Sequence, residues 1–334
     1  MTGPPSDKPK RRPRYVGRNP RQFAEKYKEL APERYADDIA KVIAAGKTPA
    51  GTHRPIMVRE ILDVLQPKPG DIAVDCTLGY GGHAVALLEA IRPTGRLIGL
   101  DVDSVELPKT EARLRALGYG SDTFEARLAN FAGLARILSE PADIILADLG
   151  LSSMQIDNPV RGFTFKVDGP LDLRMNPQRG QPASAWLRNQ SESQLAEVLA
   201  ENADEPNAES IAHAVLRAPA TTTLQLAAAI RKAGGDDDSV RRVFQAIRIA
   251  VNDEFGALDA FLRNLPYCLK PGGRVAVLTF HSGEDRRVKK SFKALEAART
   301  YSEISLEVIR SSAEERRSNP RSSSAKLRWA RLFS

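Results

Sequence analysis

Three aspartates and a cluster of glycines stand out in this 334-residue chain as residues whose spacing points to chemistry. Asp75-x-x-x-Gly79-x-Gly81-Gly82 follows a short apolar run at 72–75 and precedes a helical stretch at 84–91. Glycines let a bound molecule approach the backbone, and a helix N-terminus offers it unpaired N–H groups. Gly79, Gly81 and Ala84 satisfy the dinucleotide pattern G-x-G-x-x-G/A, which alone discriminates little. A second apolar run, 96–101, ends in Asp101, 20 residues beyond Gly81, where a carboxylate accepts the ribose hydroxyls of an adenosine cofactor. A third, 142–148, ends in Asp148-Leu149-Gly150. Acids at three strand ends suit a cationic sulfonium better than a pyrophosphate, which favours S-adenosylmethionine over NAD. The plainer alternative for Asp75 and Asp101 is a turn or capping role.

The elements that must position these residues alternate. Helices are expected at 59–65, 84–91 and 109–117, and strands at 72–75, 96–101, 142–148 and 274–280, with a turn at Pro67-Lys68-Pro69-Gly70. Strands alternating with helices predict an α/β, doubly wound parallel sheet. Between about 152 and 240 the strand signal disappears, and 184–199, 208–217 and 223–233 read as three helices. A long helix from Val240, with Phe244, Ile247, Val251, Phe255, Leu258 and Leu262 on one face, then returns to the sheet's core. The organisation expected is a basic arm (1–21), a helix at 22–46 with linker to 51, a cofactor-binding domain (52–151 and 240–334), and an inserted helical subdomain (152–239).

Net charge is +7, distributed as +6 over 1–50, −4 over 51–150, −4 over 151–240 and +9 over 241–334. Basic ends around an acidic middle suggest contact with a polyanion, nucleic acid foremost. Residues 1–21 hold seven Lys or Arg and five prolines, a composition that cannot bury a core and reads as a disordered arm. No apolar run approaches a membrane span, and no apolar segment follows the basic N-terminus as in a secretory signal. Two cysteines and four histidines exclude a disulfide framework and a Cys-rich zinc site, so a cytoplasmic protein with no metal is expected.

Further motifs follow in order: His53-x-Pro55-x-x-x-x-Glu60, Asp75-x-Thr77-x-Gly79-x-Gly81-Gly82-His83, and Asp148-Leu149-Gly150-Leu151-Ser152-Ser153-x-Gln155-x-Asp157. Arg161-Gly162-Phe163-x-Phe165, Asp168-Gly169-Pro170-Leu171-Asp172-x-Arg174-Met175, Phe244-Gln245-Ala246-x-Arg248-Ile249-x-Val251-Asn252 and Phe280-His281-Ser282-x-Glu284-Asp285-Arg286 continue the set. From about residue 52 to its end the chain resembles the ribosomal RNA small-subunit methyltransferase H family, also called MraW. The resemblance implies a Rossmann-like class I S-adenosylmethionine-dependent methyltransferase with an inserted helical domain. It implies methylation of the N4 amine of a cytidine in the decoding region of 16S rRNA. Carried over by motif, the cofactor contacts are Gly81, Gly82, His83, Asp101, Phe131, Asp148 and Gln155, beside Asp75 and Gly79 from the residues themselves. Phe131 is placed to cover an adenine face, or else to fill the core. The family pattern is departed from at Asn176, at Asn202-Ala203-Asp204-Glu205, at 235–239 and at Gly283, and residues 1–51 are expected to lie outside it.

A cytosine amine is conjugated with its ring and is a poor nucleophile, so its lone pair must be held towards the methyl group. No Asn/Asp/Ser-Pro-Pro-aromatic loop follows Ala147; Asp148 and its loop take that place, with the gain mainly in positioning. His281, Glu284 and Asp285 are second candidates for accepting the proton. Arg286, Arg287, Lys289 and Lys290, with Arg321, Lys326 and Arg328 later, are expected to meet rRNA phosphates, against the alternative of a solvated helix face. Two other readings stay open: a non-catalytic, cofactor-binding ribosome-assembly factor, and a methyltransferase with another RNA target.

Overall fold

The structure, a computed structural model, describes residues 55–334; the arm expected at 1–21, the helix expected at 22–46 and His53 lie outside them. Among the described residues the chain runs α1 (Val58–Leu65), β1 (Ile72–Asp75), α2 (Gly82–Ile91), β2 (Arg96–Asp101), α3 (Leu107–Ala116), β3 (Phe124–Leu128), α4 (Leu134–Ile137) and β4 (Ala142–Asp148). Six helices follow: α5 (Ser153–Asp157), α6 (Ala183–Arg188), α7 (Glu192–Ala203), α8 (Ala208–Arg217), α9 (Thr223–Lys232) and α10 (Asp237–Asn252). The chain then returns through α11 (Glu254–Asn264), β5 (Leu269–Thr279), α12 (Ser282–Ala297), β6 (Tyr301–Ile304), α13 (Ala313–Ser318) and β7 (Lys326–Leu332).

The seven strands form one sheet in the order β3-β2-β1-β4-β5-β7-β6. β1 to β5 are parallel, and β7 runs antiparallel between β5 and β6. A parallel sheet is covered on both faces, so its strands are apolar on both sides. Alternation sends Val74, Ile145, Ala147, Val275 and Val277 against Leu258, Phe261 and Leu262 of α11 and Val288 and Phe292 of α12. Ala73, Ile144, Leu146, Ala276 and Leu278 meet Ile61 and Leu65 of α1 and Leu87, Leu88 and Ile91 of α2 on the other face.

The helices between β4 and β5 enclose a third core, built on Leu195, Leu199, Ile211, Val215, Leu226, Ile230, Val240, Phe244 and Ile247. Two expectations need correction here. The helix expected at 184–199 is two, because Ser191 and Gln194 form a capping box that starts α7 afresh. The helix expected from Val240 breaks at Asp253, whose φ of 50° lies in the left-handed region. Its halves serve different cores: Phe244 and Ile247 stay in the helical one, and Leu258 and Leu262 reach the sheet.

Three strands were not anticipated. β3 is half-exposed and carries Glu125 and Arg127, so its apolar signal is weak. β6 is a four-residue edge strand. β7 falls in the Ser- and Arg-rich tail, where basic residues hide Leu327 and Ala330, which are buried completely.

Candidate active site

β1, β2 and β4 are neighbours, and their carboxyl ends carry Asp75, Asp101 and Asp148. Asp75 pairs with Gly99 of β2 and Leu146 of β4, so Asp101 and Asp148 each stand two residues further along. At about 3.3 Å per residue, Asp75 forms a floor and the other two rise roughly 6–7 Å above it on either side. The chain reverses its winding between β1 and β4, the switch point at which open α/β sheets hold ligands.

The loop after β1 is shaped by local bonds. Gly79 and Gly81 take φ of +49° and +76°, and a Cβ on Gly81 would press at 3.2–3.3 Å on Thr110, Arg113 and Leu114. The Gly79 N–H donates to Asp101 Oδ2 at 2.7 Å, and the Thr110 hydroxyl donates to the Gly79 carbonyl at 2.5 Å. Gly82 opens α2, where a Cβ would sit 3.0 Å from Pro55. His83 follows, buried, with Nε2 bonded to the Ile56 carbonyl at 2.9 Å; that acceptor places the ring hydrogen on Nε2. Its Nδ1 lies 3.5 Å from Asp148 Oδ2.

The electrostatics of the three acids are unusual. Asp75 is pushed up to about 6, chiefly by burial, against the pull of His83 and the Thr77 amide, with Asp148 and Asp101 adding repulsion. Asp148 is pushed up to about 7 by burial and by Glu284. Burial also raises Asp101, opposed by the Asp103 and Gly79 amides. Among the described residues, Asp75 Oδ2 and Asp148 Oδ1 are buried with no hydrogen-bond partner. A cationic ligand with an ammonium donor answers both facts: its charge offsets that of the crowded carboxylates, and its N–H groups fill the free lone pair of Asp75 Oδ2 while Asp148 Oδ1 stays open. S-adenosylmethionine is such a ligand, and the glycine turn leaves its backbone open to approach.

The remaining expected residues are placed as follows. Phe131 stacks edge-on against Phe261, with ring centroids 5.2 Å apart, in a turn that Asn130 caps. Gln155 is engaged at both ends, accepting from the Ser152 amide at 2.9 Å and donating to Asp103 Oδ2 at 2.7 Å. Its side chain thus ties the loop after β4 to Asp103. His281 opens α12 with Nε2 3.1 Å from Glu284 Oε1, and its ring leans on Phe255. Glu284 is buried and also accepts from the Phe280 amide at 2.9 Å. Burial lifts its pKa, but His281, that amide and Arg248 hold it below the usual range.

Asp285 and Arg328 are not where the sequence put them. Arg328 is 6% exposed and its Nε donates to Asp285 Oδ1 at 2.7 Å, with Lys326 Nζ 3.6 Å from the other oxygen. The tail folds back as β7, so these charges neutralise each other: Arg328 is buried, and Asp285, half-buried, is committed to it and to Lys326. Arg286 pairs with Asp204, Arg287 with Asp259, and Arg321 with Asp157, at 3.3–3.5 Å. Lys289 and Lys290 are exposed on α12. Sequence reasoning gave no role to Thr77, whose hydroxyl receives the Asp148 amide at 2.7 Å, nor to Asp103 and Arg161, a buried ion pair at 2.7 Å. Thr77 and Arg161 stand inside the ordered motifs, which was the available signal; Asp103 had none.

A doubly wound sheet whose last strand is reversed, with three acids and a glycine turn at its switch point, defines a Rossmann-like class I S-adenosylmethionine-dependent methyltransferase. The MraW methylase family model matches residues 50–333. The ribosomal RNA small subunit methyltransferase H 2 of Alkaliphilus metalliredigens is 50% identical, over 97% of this chain and 98% of its own length. The corresponding H 1 protein of Lachnoclostridium phytofermentans is 48% identical over 99% and 96%. That of Thermomicrobium roseum is 41% identical but covers 84% of this chain. The chain belongs to the MraW methylase family. Residues 1–49 precede the family model, as expected, yet most of them are matched in the first two relatives. They are therefore not peculiar to this chain.

Proposed function

We propose that this enzyme methylates the N4 amine of a cytidine in the decoding region of 16S rRNA, in the cytoplasm, with the small ribosomal subunit as its partner. The observation that carries the reading is Asp148: a buried carboxylate oxygen without a partner, beside a glycine turn, in a chain half-identical to named small-subunit rRNA methyltransferases. S-adenosylmethionine supplies an electrophilic methyl group. Asp75, the turn from Gly79 to His83, Asp101, Phe131 and Asp148 hold it, and Gln155 supports them through Asp103.

Asp148 orients the amine. Its free Oδ1 accepts a hydrogen bond from N4, which turns the nitrogen lone pair away from the ring and receives the proton that N4 loses. Thr77 fixes the Asp148 backbone, and His83 faces the other carboxylate oxygen. His281 and Glu284 form a second acid–base pair one strand over, at the end of β5. Extruding the base from its stack gives the amine access to this edge of the sheet.

We assign the helical insertion, 152–239, to substrate recognition. Arg286, Lys289, Lys290 and Lys293 fall on one side of α12, with i, i+3 and i, i+4 spacings among them, and form a face for RNA phosphates with Arg286 also holding Asp204. Arg287, Arg321 and Lys326 extend that charge from positions partly committed to internal acids. The test is methylation of small subunits and of naked 16S rRNA followed by nucleoside mass spectrometry. N4-methylcytidine is expected, and its absence from both would overturn the reading.

A further inference from the structure

Three motifs have no part in the reaction just described: the turn at Arg161-Gly162, the stretch Asp172-Leu173-Arg174-Met175, and the end of α10 at Asn252. The fold brings all three together behind Asp101. Arg161 is 7% exposed, and its Nη1 donates to Asp103 Oδ2 at 2.7 Å. Its Nη2 donates to the carbonyls of Arg174 and Met175 at 3.1 and 2.7 Å. Asp103 is buried completely for practical purposes, at 1%. Its Oδ1 accepts the amides of Val105 and Glu106, its Oδ2 those two side chains, Arg161 and Gln155, and its own N–H donates to Asp101 Oδ1 at 2.8 Å. With Gly79 on the other oxygen, the Asp101 carboxylate has one orientation.

The loop that carries Arg161 is itself over-determined. Leu173 takes a left-handed φ of 62°, which a leucine adopts only when its surroundings compel it. Asn252 compels it: Nδ2 donates to the Leu173 carbonyl and Oδ1 accepts the Met175 amide, both at 2.7 Å. A Cβ on Gly162 would come within 2.4 Å of the Pro170 carbonyl, and one on Gly169 within 2.1 Å of the Pro159 carbonyl. Backbone touches backbone there, and the contact aims two carbonyls at one guanidinium.

Burying an ion pair is a poor route to stability, since desolvation cancels most of the attraction. Orientation is the better account. We propose that Arg161 is a positioning residue: reaching from the start of the helical insertion, it fixes Asp103, and through it sets the Asp101 carboxylate against the cofactor's ribose. Cofactor affinity is thereby tied to the correct seating of the insertion. The inference rests on the cofactor role assigned to Asp101.

A double-mutant cycle on S-adenosylhomocysteine affinity, measured by calorimetry on the full chain, tests it. Arg161→Met is expected to weaken binding about tenfold, Arg161→Lys less, and Asp101→Ala more than either. Arg161→Met added to Asp101→Ala should weaken binding no further, because the first acts through the second. KM for S-adenosylmethionine should rise by the same factor in Arg161→Met while kcat at saturation is kept. Additive losses, or an Arg161→Met affinity equal to wild type, would overturn the inference while leaving Asp101 in its role. Unchanged affinity in Asp101→Ala would overturn that role and the inference together. Should Arg161→Met fail to melt cooperatively, Asp103→Asn completes the same cycle with the same outcomes.

Discussion

At the residue scale the site is an arrangement of carboxylates that dislike their own charge. Asp148 Oδ2 lies 3.5 Å from His83 Nδ1, and burial and Glu284 oppose the ionisation of the carboxyl. Replacing this aspartate with Asn keeps the shape and a neutral hydrogen-bond acceptor but removes the carboxylate that takes the proton, so Asp148→Asn should reduce N4 methylation at least a hundredfold, read by nucleoside mass spectrometry. Near-normal turnover would remove Asp148 from the reaction. The same variant carries a thermodynamic signature. The native pKa of Asp148, about 7, lies above the unfolded value, so the folded state is penalised once pH rises through it. Asp148→Asn should therefore raise the melting temperature of the apoprotein by a few degrees at pH 8, and by less at pH 5. These residues were legible in the sequence because each ends an apolar run, a purely local pattern. Asp103 was not, for its partner Arg161 lies 58 positions away.

At the scale of elements, the tail shows how tertiary pairing changes what a charge does. Of the tail residues expected to bind RNA, Lys326 and Arg328 lie in a strand, β7, inserted between β5 and β6. Arg328 there serves Asp285 of α12, and without it the acid keeps only Lys326, 3.6 Å away, as its cation. Arg328→Ala should cost about 2 kcal/mol of stability in denaturant titration, the loss of a hydrogen bond to a charged group. Lys289 and Lys290 are exposed on α12, and their double replacement by alanine should behave in the opposite way. Affinity for small subunits should fall and the salt slope of binding should drop by about 2, with no change in melting temperature. α10 and α11 give the same lesson in packing. A continuous helical periodicity ran across Asp253, but a break there divides its apolar face between two cores.

At the scale of the whole molecule, charge and cofactor are linked. Asp75 and Asp148, raised to about 6 and 7, stabilise the apoprotein fully only below the ordinary carboxylate range. That contribution is lost as pH rises through those values. A cationic cofactor reverses the penalty, so the rise in melting temperature with S-adenosylmethionine should be larger at pH 8 than at pH 5.5, and NAD should give none. An equal rise at both pH values would break the link between these acids and the cofactor. No helix among the described residues is long and apolar enough to cross a membrane.

By itself the sequence determined the parallel strands that carry the acids, the glycine turn, the helical character of the stretch between β4 and β5, and the family. All of these are written in neighbouring residues: apolar runs buried on both faces, glycines at positive φ, and motifs in order. Only the tertiary structure decided that the tail completes the sheet, that Asp285 and Arg328 pair within it, and that Arg161 reaches Asp103 behind Asp101. Those outcomes depend on which distant charge each group meets once desolvated, and burial, not spacing along the chain, selects that partner.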